Sequence, residues 1–166
     1  MSTTHAPPPG QTTRVALLVL VIIVYSAAAT SAVVTIPQIP TWYAELHKPF
    51  FAPSPWVFGP VWMVLYALMA VAAWRVWNAH TTASARRQAL GLFGIQLALN
   101  GIWPLVFFVL GHPGAALIII MSLLIVLVFT MIRFATIDRA AAALLAPYLI
   151  WITFTAALNA GIIILN

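Results

Sequence analysis

Long apolar runs separated by short polar breaks dominate this chain. Residues 15–36 carry no charged group and are closed by Pro37 and Pro40. A second run covers 55–79, where Pro55 suits a first helical turn. A third covers 85–110 and stops at Gly111-His112-Pro113. A fourth covers 113–135, and a fifth covers 138–165 with Asp138 positioned to cap its start. At about 1.5 Å per residue, each run reaches or exceeds a hydrocarbon core about 30 Å thick. The pattern predicts an all-α polytopic membrane protein, a bundle of five transmembrane helices forming one domain over residues 15–166. Pro60, Pro104 and Pro147 fall inside spans two, three and five and predict local kinks. Residues 1–14, polar and rich in proline, read as a disordered tail. The apolar run after Arg14 is too long for the core of a cleaved signal and reads as a retained first span.

Composition strengthens this reading. Apolar residues make up 64% of the 166 positions and charged residues only 5%, against about a quarter charged in soluble domains. The net charge of +5 would suggest nucleic acid in a soluble protein. Here the cations sit between the apolar runs, where they orient a membrane protein, so no nucleic-acid partner is expected. Arg14, Arg75, Arg86, Arg87, Arg133 and Arg139 fall on one side and Lys48 alone on the other. That bias predicts a cytoplasmic N-terminus and an extracytoplasmic C-terminus.

The connection at 37–54 is the one long loop. It contains the aromatics Trp42, Tyr43, Phe50 and Phe51, four prolines and the cluster Glu45-Leu46-His47-Lys48. Prolines reduce the entropy lost on ordering, and aromatics supply area to bury. A folded lid is expected, with an unstructured loop bearing interfacial aromatics as the alternative. Counting inward from the lid side at about 1.5 Å per residue, Trp62, Tyr66, Asn100, Trp103, Trp151 and Asn159 lie roughly 9 to 21 Å deep. All fall in the half of the bundle under the loop, where a cavity is expected. Taken singly, Gln96, Asn100 and Asn159 could equally be interhelical glue, and the indoles could be packing. Trp74 and Trp77, near Arg75, read as belt residues.

Such a cavity would be aromatic with few polar groups, suited to a flat apolar ligand. The span interiors lack Asp, Glu, Lys and His, so ion-coupled transport has no group to work with. Glu45 and Asp138 are the only acids and cannot assemble a catalytic constellation, so no catalytic residues are assigned. His5, His47, His80 and His112 are scattered without metal-ligand spacing, and no metal site or required cofactor is expected. His47 and His112 share the lid side, where either could approach a ligand, although exposed loop histidines are the commoner case. There are no cysteines, which excludes disulfides and thiolate chemistry. Gly94, Ala98 and Gly101 form a small-residue stripe suited to close helix packing, within the bundle or across a homodimer.

Three blocks carry a family resemblance: residues 42–77 (WYAELHKPFFAPSPWVFGPVWMVLYALMAVAAWRVW), 96–108 (QLALNGIWPLVFF) and 147–159 (PYLIWITFTAALN). They resemble the TspO/MBR family of tryptophan-rich sensory and translocator proteins, from about Trp42 to Asn166. The resemblance implies a five-helix bundle, usually dimeric, whose loop-capped pocket binds porphyrins, haem, sterols and benzodiazepine-type ligands. It implies Trp42, Trp62, Tyr66, Asn100, Trp103 and Trp151 as pocket positions. The chain departs from the pattern at Phe50-Phe51, where tryptophans are common, and at Thr155, where alanine is common. It also lacks the basic residue of the sterol motif, since no Lys or Arg follows Arg139.

Three functions compete on these grounds. One is sensor-like binding of a porphyrin or haem-type tetrapyrrole beneath the lid. Another is passage of such molecules, or sterols, across or between membranes. A third is light- and oxygen-dependent porphyrin breakdown, with Trp62 and Trp151 as the reactive pair.

Overall fold

The computed structural model describes residues 9–166, with side chains from residue 13 onward. Its helices are α1 (Pro9–Thr35), α2 (Trp42–Glu45), α3 (Phe58–Asn78), α4 (Ala83–Pro104), α5 (Pro113–Ile137), α6 (Arg139–Leu144) and α7 (Ala146–Leu165). Short 3-10 turns at Ile36–Gln38 and Pro55–Val57 flank the lid, and a π-helical turn at Leu105–Val109 extends α4. Among the described residues, five stretches are long and apolar enough to span a bilayer: Thr13–Gln38, Pro55–Asn78, Ala83–Val109, Pro113–Ile137 and Arg139–Leu165. The chain is an all-α, multi-pass integral membrane protein.

Contacts run from α1 to α3, from α3 to α6 and α7, from α7 to α5, from α5 to α4, and from α4 back to α1. The spans therefore close a ring in the order one, two, five, four, three. Packing is uneven along its axis. Away from the lid, Met69, Ala70, Ala72, Ala73 and Val76 of α3 are buried, as are Leu127, Phe134, Ala141 and Leu145. Small alanines on facing helices let backbones approach closely there. Asp138 caps α6, accepting from the amides of Ala140 and Ala141 at 2.8 and 3.2 Å. Its other oxygen accepts from Arg75 Nε at 2.8 Å, tying α6 to α3.

Several local expectations are corrected. Residues 9–14, within the segment read as a disordered tail, are helical; residues 1–8, including His5, lie outside the described residues. A proline is tolerated in the first turn of a helix because its missing N–H would have no intrahelical acceptor. For the same reason Pro60 causes no break, since it falls in the first turn of α3. Pro104 does perturb its helix, which widens into the π turn, closed by Leu110 N–H to the Leu105 carbonyl at 3.0 Å. The fifth span is two helices, broken at Leu145 just before Pro147. Gly111, at φ +62°, reverses the chain after the π turn, in a backbone region that residues with a Cβ rarely enter.

Candidate functional site

The lid-side half of the ring contains a cavity of about 510 Å³, within the range of small-molecule pockets. Its floor is aromatic. Trp62 and Tyr66, one turn apart on α3, stack at 5.3 Å, and Tyr25 of α1 lies 6.4 Å from Tyr66. Beneath them runs a hydrogen-bond chain. Tyr66 O–H donates to Asn100 Oδ1 at 2.9 Å, and Asn100 Nδ2 donates to the Tyr148 hydroxyl at 2.6 Å. Asn100 is thus both lining and glue, linking spans two, three and five. Tyr25 O–H donates to the Met63 carbonyl at 3.1 Å, joining α1 to α3 at the edge of the floor.

The wall facing α4 depends on the π turn. Widening the helix there brings Phe107 and Phe108 together on the side of Trp103: Trp103 stacks on Phe107 at 5.0 Å and meets Phe108 edge-on at 5.9 Å. Trp103 Nε1 donates to Asn159 Oδ1 at 3.2 Å, and Asn159 Nδ2 donates to the Pro113 carbonyl at 2.9 Å. Asn159 is therefore a strut and does not line the main cavity. Thr155 does, although its hydroxyl is turned to the Trp151 carbonyl at 2.8 Å.

The lid is folded and fastened. The Asn166 side chain accepts from His47 N–H at 2.9 Å and donates to the His47 carbonyl at 3.0 Å, imitating a backbone pair. Pro49 packs on Gly161 so closely that a Cβ there would lie 2.7 Å from its ring. Lys48 Nζ donates to the carbonyls of Ala44 and Leu46 and sits 4.9 Å from the centre of the Tyr43 ring. Tyr43 lines the cavity from above. Burial pushes its phenol above the ordinary tyrosine value, so it stays neutral and able to donate. Its hydroxyl has no partner among the described residues, and Ser31 Oγ stands on the α1 wall near the Tyr66 hydroxyl.

Of the six residues expected to form the pocket, Trp62, Tyr66, Asn100 and Trp103 line it. Trp42 and Trp151 do not. Trp42 is set edge-on against Phe107 at 5.4 Å and Phe108 at 6.4 Å, and Gly111 packs against its indole. It props the lid from behind, and its neighbour Tyr43 faces the cavity. Trp151 packs against Phe58 at 5.7 Å and Phe154 at 5.3 Å, and Phe58 occupies the cavity wall. The Trp151 indole N–H is buried without a partner among the described residues. Neither His47 nor His112 lines the cavity, and neither does any Asp, Glu, Lys or Arg.

Sequence reasoning missed the α1 wall. Tyr25, Ala28, Ala29, Ser31, Ala32 and Thr35 all line the cavity. The signal was present as the small-residue stretch SAAATSA at 26–32 inside an otherwise bulky span, whose residues leave room beside α3.

A model of the TspO/MBR family matches residues 16–165. Among similar proteins, the tryptophan-rich protein TspO of Archaeoglobus fulgidus is 39% identical over 132 residues, 80% of this chain and 84% of its own. The tryptophan-rich sensory protein of Cereibacter sphaeroides is 39% identical over 71% of this chain and 72% of its own. The human translocator protein is 39% identical over 71% of this chain and 70% of its own.

Proposed function

The chain belongs to the TspO/MBR family, and from that premise we propose that it is a sensor-like membrane protein. Its ligands are porphyrin- or haem-type tetrapyrroles, or similar flat apolar molecules, held beneath the lid. One observation carries this reading: a cavity of about 510 Å³ whose floor and walls are the rings of Tyr25, Trp62, Tyr66 and Trp103. Ring faces favour a flat partner by offset stacking, and the hydroxyls of Ser31 and Tyr43 on the lining can orient a polar substituent. Similar proteins carry the names sensory protein and translocator protein, which suit sensing or carriage of such a ligand. No Asp, Glu, Lys, Arg or His lines the cavity to couple movement to an ion gradient, which favours sensing over pumping.

Titrating the purified protein with protoporphyrin IX, followed by tryptophan quenching, tests the reading. Saturable binding that weakens at least tenfold in Trp62→Ala is expected. Unchanged affinity in Trp62→Ala combined with Trp103→Ala would remove this pocket from consideration. Porphyrin breakdown through Trp62 and Trp151 has less support, because Trp151 packs on Phe58 and is not among the residues lining the cavity. Bound porphyrin that keeps its spectrum under light and oxygen would dispose of it.

Two further parts belong to this proposal. The concentration of arginines at the helix ends away from the lid supports a cytoplasmic N-terminus and an extracytoplasmic lid. The stripe Gly94, Ala98 and Gly101 supports a homodimer, because a Cβ added at either glycine would touch nothing within 4 Å. Its neighbours Ile95 and Ile102 are likewise exposed. Small residues at such a face let two helices meet at backbone distance.

A further inference from the structure

Part of the cavity lining is exposed. Two rims border it, and each shows the same spacing of exposed residues. Ala29, Ala32 and Ile36 stand along α1 and the turn that follows it, while Trp56, Gly59 and Met63 stand along the start of α3. All six line the cavity and are exposed; Ile36 is 63%, Trp56 75% and Met63 64% accessible. The two helices are antiparallel neighbours, so steps of three and four residues place the rims at matching depths. Both rims lie inside the stretches that cross the bilayer. The gap between them therefore opens on hydrocarbon. Small residues keep it clear: at Gly59 an added Cβ would meet nothing within 4 Å.

On the water side the lid is fastened. Asn166 holds the His47 backbone, Pro49 rests on Gly161, and Trp42 is wedged behind the lid. Charge points the same way. Lys48, the cation of the lid, is spent on two lid carbonyls and the Tyr43 ring. A carboxylate enclosed here would lose its hydration without a counter-charge, whereas a neutral molecule loses nothing comparable.

We propose that the slot between α1 and α3 is the entrance to the cavity, and that it admits neutral molecules dissolved in the bilayer in preference to anionic ones arriving from water. This rests on the reading of the cavity as a ligand site and specifies both the route and the charge of the ligand. Entry by this path follows partitioning into the membrane, and the ligand turns its polar substituent inward to Ser31 and Tyr43.

The absence of cysteine makes the test clean. The full chain is placed in lipid nanodiscs, and protoporphyrin IX dimethyl ester is the probe. Gly59→Cys and, separately, Ala32→Cys are compared before and after alkylation with a bulky maleimide, so that each unmodified variant is its own folding control. A narrowed entrance slows association and dissociation together. Both rates are expected to fall at least tenfold on alkylation in at least one variant. Unchanged association in both alkylated variants, or lost affinity without slowed dissociation in both, would overturn the entrance. In the unmodified wild type, the diester is expected to bind at least tenfold more tightly than protoporphyrin IX itself, per mole fraction in the lipid. Equal or tighter binding of the free acid would overturn the preference for neutral ligands. Binding of neither would overturn the ligand-site reading as well, which separates the two failures.

Discussion

Asn100 is where structural and binding roles meet in one side chain. It accepts from Tyr66 and donates to Tyr148, so its loss strands two buried hydroxyls. Asn100→Leu is expected to cost about 2 to 3 kcal/mol, a drop of several degrees in Tm in detergent. Gln96, one turn along α4, behaves oppositely. It is fully buried and neither of its amide atoms has a hydrogen-bond partner among the described residues. Gln96→Leu therefore removes an unmet polar burden, and Tm is expected to hold or rise by the equivalent of about 1 kcal/mol. A clear fall would mean that the amide has a partner the geometry does not reveal. Depth counting singled out Asn100 and Asn159, and Gln96 stood out beside them, because a polar residue in an apolar run is conspicuous. It could not say which were bonded, since bonding depends on how each helix is rotated about its axis. The same gap misplaced Trp42 and Trp151: their depth was legible, but the rings of Phe107, Phe108 and Phe58 that hold them off the cavity were not.

Among the elements, the lid and the broken fifth span behave as fastened parts. Gly161→Ala places a methyl group against the Pro49 ring, and a rigid ring can yield only by moving the loop. A loss of about 1 to 3 kcal/mol is expected, with faster proteolysis within residues 36–57 as the local readout. The Asp138 link between α3 and α6 carries a pH signature. Partial burial alone would raise its carboxyl. The Arg75 hydrogen bond and the amides of Ala140 and Ala141 outweigh that, holding it below the ordinary carboxylate value. A carboxyl lowered in the folded state contributes stability above its unfolded value of about 4, and loses it as pH falls through the folded value. Asparagine caps a helix as well as aspartate does, so Asp138→Asn isolates the ion pair. The Tm deficit of this variant is expected to correspond to about 1 kcal/mol or less at neutral pH, given the partial exposure. It should close as pH is lowered from about 5 toward 3. The capping role of Asp138 and the five spans were legible from spacing alone. The π turn was not, because nothing in Leu105–Val109 except the preceding proline marks it.

At the scale of the whole molecule, the ring of spans is dense at one end and hollow at the other, and sequence explains both. Alanines of α3 and α6 close the end away from the lid, while aromatics too large to interlock keep the lid half open. The α1 wall escaped sequence reading because alanine and serine advertise nothing on their own; they matter only as space beside α3. The Gly94-Ala98-Gly101 face belongs to this scale as well. Ala98→Leu is expected to shift the protein toward monomer in size-exclusion chromatography with light scattering, while leaving porphyrin affinity within about twofold. A monomeric wild type would retire the dimer and leave the pocket untouched. The most direct measurement is a structure of the wild type in lipid with protoporphyrin IX or its dimethyl ester bound. Density should lie beneath residues 36–57, with the macrocycle against Trp62 and Tyr66 and its edge toward the gap between α1 and α3. Ligand density elsewhere, with the cavity filled by its own side chains, would contradict the account.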